Sequence, residues 1–339
     1  MDGRLLLSTF LTASLSVVAH ASVDRPPQLV AIAFDNCHEL ERWRELSDFA
    51  AEMNRDGERV HFTFFVSGVN FLGDIERTLY HGPRQRPGAA MINFGGTLED
   101  VQKRVEYAKE LHRRGHEIAS HAVGHFNGAT WSAAEWAAEF KAYDGLLERV
   151  GLSAPVAGFR APYLATSPGL YAVLKERAFR YDASRTALAN EWPQEIDGIW
   201  RFNLVGLRLH GSGKNVLSMD YNFFFAHSRA IDDPSSQSLF RDQMIETYLD
   251  YFRSNYSGNR APIHIGHHFA NYQGGAYRQA LMIFARAVCS LPEVRCVTYS
   301  MLADFLDQLD PATLAAYRRG DFPHAGPPNL NVARRAQSQ

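Results

Sequence analysis

The chain has 339 residues, 46% hydrophobic and 21% charged, with a formal net charge of -2. That is enough apolar material for one large core, and single α/β barrels of about 250 residues are common, so length does not force two domains. The near-neutral charge gives no argument for a nucleic-acid partner or an anionic membrane surface.

In chain order, Leu5 to Ala19 is an apolar stretch broken by Ser and Thr, too short to span a bilayer, ending in the small-x-small pattern Ala19-His-Ala21. It reads as a secretory signal over 1–21, with no membrane span in the mature protein. Export permits disulfides, and Cys289 and Cys296 are near enough in sequence to close a small loop, whereas Cys37 is left as an inert buried thiol.

Five apolar, β-rich runs follow, each ending at a residue with chemistry. Leu29–Phe34 ends at Asp35, Glu117–Ser120 at His121, Val156–Phe159 at Arg160, Phe179–Tyr181 at Asp182, and Pro262–Gly266 at His267. Runs without clean alternation are expected of strands buried on both faces, as in a parallel sheet with helical crossovers. Further strands are predicted at Val60–Val66, Ile199–Val205 and Val294–Thr298.

Between them lie helical patterns. Leu40, Trp43, Leu46, Phe49, Ala50 and Met53 mark one helix. Thr97-Leu-Glu-Asp100 and Ser132-Ala-Ala-Glu135 are hydroxyl N-caps with an acid three residues on, and Ser167-Pro168 is an N-cap before a first-turn proline. The apolar stripes after the two capping boxes are Leu98, Val101, Val105, Ala108 and Leu111, then Trp136, Phe140, Tyr143 and Leu147. Helices are also expected near 239–255, 275–289 and 300–309. The Gly, Pro and Arg-rich stretch 81–97 reads as a long loop, and 311–339 as a mobile tail. About eight strands alternate with helices, which predicts a closed or nearly closed α/β barrel in one domain, 22–310, with its chemistry at the C-terminal strand ends.

The central motif is His121-Ala-Val-Gly-His125. Two histidines four apart can hold one divalent ion, but such a pair alone is more often packed structure. Its weight comes from the carboxylate, arginine and further histidine that the other strand ends supply. The order Phe-Asp35-Asn36, Thr63-Phe-Phe65, Gly115-His-Glu-Ile-Ala-Ser-His121-Ala-Val-Gly-His125, Arg160-Ala-Pro-Tyr163, Tyr181-Asp182 and Ile-Gly-His267 resembles the polysaccharide deacetylases of carbohydrate esterase family 4, the NodB-homology domain, from about residue 28 to 309. The later half resembles secreted chitin-deacetylase-like members in particular.

The resemblance implies a distorted (β/α) barrel and a bound divalent ion, usually zinc, with cobalt or another divalent ion as alternatives. It also implies removal of acetyl groups from N-acetylated sugars. His121, His125 and Asn36 would hold the ion and Asp35 would be the general base. Arg160 would pair with Asp35, the Tyr163 backbone N-H would stabilise the developing oxyanion, and His267 would protonate the leaving amine with Asp182 orienting it. His264 and His268, flanking His267 on a strand, should point away from it. Trp131, Trp192 and Trp200 could stack on sugar rings, although buried tryptophans are the commoner case.

Two departures from the family pattern bear on the metal. Asn36 stands where an aspartate is usual, removing a negative charge from the ligand set, and Ala122 replaces a common Ser or Thr. The leading expectation is an exported N-deacetylase acting on chitin oligosaccharide, peptidoglycan or exopolysaccharide. Two alternatives stay open: a noncatalytic glycan-binding protein with a weakened metal site, and a metal amidohydrolase on a non-sugar amide.

Overall fold

The computed structural model describes residues 23–324 apart from 58 and 153–155, together with 326, 328 and 330; the expected signal segment lies outside them. The chain runs β1 (Gln28–Asp35), α1 (Leu40–Met53), β2 (Thr63–Val66), α2 (Leu98–Arg113), β3 (Glu117–Ser120), α3 (Ala133–Arg149), β4 (Gly158–Phe159), α4 (Pro168–Glu176), β5 (Tyr181–Asp182), β6 (Thr186–Leu188), β7 (Gln194–Ile196), β8 (Ile199–Arg201), β9 (Leu204–Arg208), β10 (Asn215–Leu217), α5 (Asp220–Ser228), α6 (Gln237–Ser257), β11 (Ile263–His268), α7 (Ala276–Val288), β12 (Val294–Val297), α8 (Tyr299–Asp307) and α9 (Pro311–Arg319).

The main sheet has the order β11-β1-β2-β3-β4-β5-β8-β7, with β12 also paired to β1. Its pairs are parallel except the β7–β8 hairpin. The sheet curls into a half-barrel. A second sheet, β10-β9-β6, continues from β8, and a bridge from Met219 to Gly266 ties its far side to β11. The run expected as one strand, Ile199–Val205, is therefore split: the chain leaves the main sheet after Arg201 and enters the second at Leu204.

Alternation along β1 sorts the core into two layers. Phe34 faces the helices, where it meets Phe62, Phe64 and Phe269. Leu29, Ala31 and Ala33 face the barrel interior with Phe65, Ala119, Tyr181, Phe202 and Tyr299. Gly158 is needed in that interior, since a Cβ there would lie 1.7 Å from the Tyr181 ring. Thr97 and Ser132 cap α2 and α3 through reciprocal bonds with Asp100 and Glu135. The predicted stripes are buried, except Leu98, which is half exposed at the first turn.

One further difference has a physical reason. Residues 311–319, expected as part of a mobile tail, form α9, because Asp310 caps its start and Tyr317 stacks on Trp192 with ring centroids 5.4 Å apart. The stretch 81–97 is a loop, as expected, and it is packed, with Phe94 buried; two short 3-10 turns, Gly68–Phe71 and Asp74–Leu79, precede it.

Candidate active site

Asp35 continues the inward series of β1 at the C-terminal end of the strand. It is 2% exposed and accepts a hydrogen bond from Arg160 Nη1 at 2.8 Å. Arg160, at the end of β4, is wholly buried. Its Nε donates to the Ala183 carbonyl, its Nη2 to Tyr299 Oη, and its guanidinium lies 4.3 Å from the Phe65 ring centroid. Burial alone would push the Asp35 carboxyl up, but the Arg160 charge and the nearby imidazoles hold it below its ordinary value.

Arg160 also positions His121. Its backbone carbonyl accepts from His121 Nδ1 at 2.7 Å, which places the imidazole proton on Nδ1 and leaves Nε2 as a free donor atom. The His125 ring lies 5.0 Å from that of His121. His125 keeps Nδ1 buried without a partner among the described residues, and its Nε2 is 3.4 Å from Asn36 Nδ2. Burial lowers the pKa of both imidazoles, that of His125 to about 3, so both are neutral ligands near pH 7.

The local backbone is bent to make this cluster. Asn36, Ala122, His125, Tyr163 and Leu164 all have φ between 50° and 58°. Each such residue costs about 1–3 kcal/mol, least for asparagine, whose short side chain tolerates the left-handed region.

The two imidazoles suit a borderline divalent ion. They are neutral, adjacent and short of partners, and Asn36 offers a third, uncharged donor in the same corner. Among the described residues no group of three His, Cys, Asp or Glu side chains is arranged to hold a metal ion. The groups that would hold an ion here are thus the two histidines, with the Asn36 amide beside them.

The last strand differs from expectation. On the paired strands β1 and β11, Phe34 is opposite His267 and Asp35 opposite His268. His267 thus faces the helices with Phe34. It is 2% exposed, bonded to Tyr248 Oη at 3.1 Å, and burial lowers its pKa to about 4. His268 faces inward beside Asp35 and keeps 20% of its side chain exposed. The two histidines face opposite sides, as strand alternation requires, and the one in the cleft is His268, expected at the rim.

The carboxylate partner also changes. Asp182 lies on β5, four strands from β1, where it accepts from Ser184 Oγ and from Arg201 Nη1 at 3.3 Å. It does not contact either histidine of the last strand. Ser184 Oγ in turn accepts from the Ala161 N-H at 2.8 Å, so Asp182 braces the turn that carries Tyr163. The group that holds His268 is Asp220, the first residue of α5, whose Oδ1 lies 2.7 Å from His268 Nδ1 and whose Oδ2 accepts from the His268 N-H at 2.9 Å. Burial would push the His268 imidazole down, yet the Asp220 charge and hydrogen bond raise its pKa above the ordinary value.

Asp35, Asn36, His121, His125, Tyr163 and His268 line one cleft of about 540 Å³, completed by Ala161, Leu164, Leu204, Leu217, Met219, Tyr221, Asn222 and Tyr272. Arg160 lies beneath it. Trp131, Trp192 and Trp200 are buried and absent from that lining. Sequence reasoning missed Asp220, Tyr221 and Tyr272. The only signal for Asp220 was an acid just after Met219, and nothing in the spacing connects it to β11.

Residues 22–181 match the family model described as polysaccharide deacetylase. Chitin deacetylase 1 of Bombyx mori is 26% identical over 222 residues, covering 58% of this chain; the match spans 41% of that relative's length. A crystal structure assigned to a polysaccharide deacetylase from Mycobacterium smegmatis superposes with a TM-score of 0.53 at 18% identity, covering 86% of this chain and 96% of that one. The latter likeness is one of fold.

Proposed function

We propose that this chain is an exported, metal-dependent N-deacetylase of N-acetylated glycans, a reading supported by the match of residues 22–181 to the polysaccharide deacetylase model. The observation that carries this reading is the meeting of Asp35, His121, His125 and His268 in one cleft. A hydrolytic base, a pair of neutral ligands and an acid converge there from β1, the turn after β3 and β11.

A divalent ion held by His121 and His125, with Asn36 as a neutral third donor, would supply Lewis-acid polarisation of the acetamide carbonyl and lower the pKa of the attacking water. Asp35, kept ionised by Arg160, takes the proton of that water as it attacks the acyl carbon. The backbone N-H of Tyr163, in the left-handed turn that Asp182 and Ser184 brace, donates to the acyl oxygen as negative charge builds there. His268, held protonated by Asp220, gives its proton to the departing amine, and the products are acetate and a free amino sugar.

The cleft wall fits a sugar. Leu204, Leu217 and Met219 give apolar surface, and Tyr221 and Tyr272 give aromatic faces with polar tips. The disulfide between Cys289 and Cys296 and the small-x-small pattern at Ala19-His-Ala21 support export, and no helix among the described residues is long and apolar enough to cross a membrane. The name of the Bombyx mori relative supports chitin oligosaccharide as the first substrate to try.

Asn36 and the uncharged ligand set favour one other reading, a noncatalytic glycan-binding protein. Against it stand two intact buried pairs, Asp35 with Arg160 and Asp220 with His268, which glycan binding does not need. Acetate release from a panel of N-acetylated glycans, with and without added zinc or cobalt, separates the two. Release that Asp35→Ala abolishes supports the enzyme; glycan binding without release supports the alternative.

A further inference from the structure

The loop between the two histidines has a support of its own. Ala122 and His125 at its ends both have left-handed backbones, φ 58° and 56°, so the turn does not hold itself. Its carbonyls are taken by neighbours: Gly68 N-H donates to Ala122 O, Val69 N-H to Val123 O, and Met91 N-H to Gly124 O, at 3.0, 3.3 and 2.9 Å. Its N-H groups converge instead. Val123 and Gly124 both donate to one oxygen, Glu139 Oε1, at 2.9 and 3.3 Å.

Glu139 is 1% exposed on α3, and among the described residues no Lys, Arg or His pairs with it in an ion pair. Its remaining partner is Tyr80 Oη, which donates to the carboxylate at 2.8–3.0 Å. Tyr80 reaches it by passing close to Gly124, where a Cβ would come within 2.6 Å of the ring. That contact, with an equally close one from Phe126, accounts for the glycine in His-Ala-Val-Gly-His. Successive amides aimed at one anion form a nest, and here the anion is built in. Glu139 and Tyr80 are both absent from the cleft lining, so neither touches substrate.

We propose that Glu139, steadied by Tyr80, is the positioning residue of the histidine pair: by fixing the amides of Val123 and Gly124 it sets where His125 stands relative to His121, and thereby the affinity of the site for its ion. This rests on the metal-dependent reading above. Removing the carboxylate leaves two buried amides unpaired in a strained turn, and the first residue free to move is the adjacent ligand.

The test is a cobalt(II) titration of the metal-stripped protein, followed by visible absorption, for wild type, Glu139→Met, Glu139→Gln and Tyr80→Phe, with thermal melts of each. Glu139→Met should melt cooperatively and bind cobalt about 10–100-fold more weakly, the range for lost outer-shell partners, with an altered band shape. Glu139→Gln, whose carbonyl oxygen still accepts both amides, should return to within about threefold of wild type. Tyr80→Phe keeps the ring on Gly124 and should weaken binding in the same direction, which carries the test if Glu139→Met does not fold. Wild-type affinity and spectrum in Glu139→Met or Tyr80→Phe would overturn the proposal and leave the metal reading intact. A wild-type protein that takes up no cobalt would overturn the metal reading itself.

Discussion

Asp35 and His268 are register partners on neighbouring parallel strands, and both side chains point into the same cleft. Neighbouring strands are about 4.8 Å apart, so the proposed base and the proposed acid stand side by side, with Arg160 beside the carboxylate and Asp220 beside the imidazole. Arg160 holds the carboxylate down and Asp220 holds the imidazole up. Opposed shifts of this kind are what the proposed roles of Asp35 as base and His268 as acid require.

The first consequence separates two adjacent histidines. His268→Asn should lower kcat about 10²–10⁴-fold, the usual worth of a general acid. His267→Asn should keep kcat within about tenfold but lower the melting temperature, since it disturbs the buried contact with Tyr248, worth about 1–3 kcal/mol. Acetate-release kinetics and thermal melts of both variants decide it. The reverse pattern would return the acid role to His267.

The pH profile follows from the sign of each shift. Activity needs His268 protonated, and its pKa is raised, so the alkaline limb should lie above the ordinary histidine value of about 6.5. Asp220→Asn removes the cause and should move that limb to lower pH, while the acid limb, set by Asp35, stays in place. The same linkage governs stability: the contribution of the Asp220–His268 pair is fully present below about pH 6.5 and is lost as pH rises through the raised pKa of the folded state. Melting curves of wild type and Asp220→Asn should therefore converge at alkaline pH.

Arg160 joins the base to a ligand, so its loss should have two signatures. Arg160→Gln leaves the Asp35 carboxylate buried without a counter-ion. Breaking such a pair costs about 3–5 kcal/mol of stability. It should also raise the Asp35 pKa, moving the acid limb of activity upward. Arg160→Lys should rescue only part of this, because an ammonium cannot reach Asp35, Ala183 O and Tyr299 Oη in one fixed fork.

Asn36 sets the charge of the ligand set. Asn36→Asp adds a carboxylate beside His125 and should tighten zinc binding by at least about tenfold, read by competition with a chromophoric chelator. Unchanged affinity would remove Asn36 from the set of donors.

Most of the barrel was legible because burial on both faces leaves uninterrupted apolar runs, and β1 is buried at all its positions. The capping boxes at Thr97 and Ser132 were equally plain, being satisfied within four residues. Asp35, Asn36, His121, His125, Arg160 and Tyr163 come together because each closes a strand or the turn after it. His267 and His268 could not be separated in the same way, since both end one strand and only the register with β1 says which faces inward. Asp220 was out of reach for a further reason: it arrives on α5 after the second sheet, whose short strands carry mixed burial and no clear period. The tail was misread because α9 is held by distant contacts, Tyr317 on Trp192, that a local pattern does not record.

The central claim is that one cleft hydrolyses an acetamide with the help of an ion held by His121 and His125. The most direct measurement is acetate released from an N-acetylated chitin oligosaccharide by the chelator-stripped protein before and after zinc is returned, alongside His125→Ala. The account predicts no release from stripped protein, recovery on adding zinc, and none from His125→Ala under either condition. Equal release from stripped protein, or from His125→Ala, would contradict it.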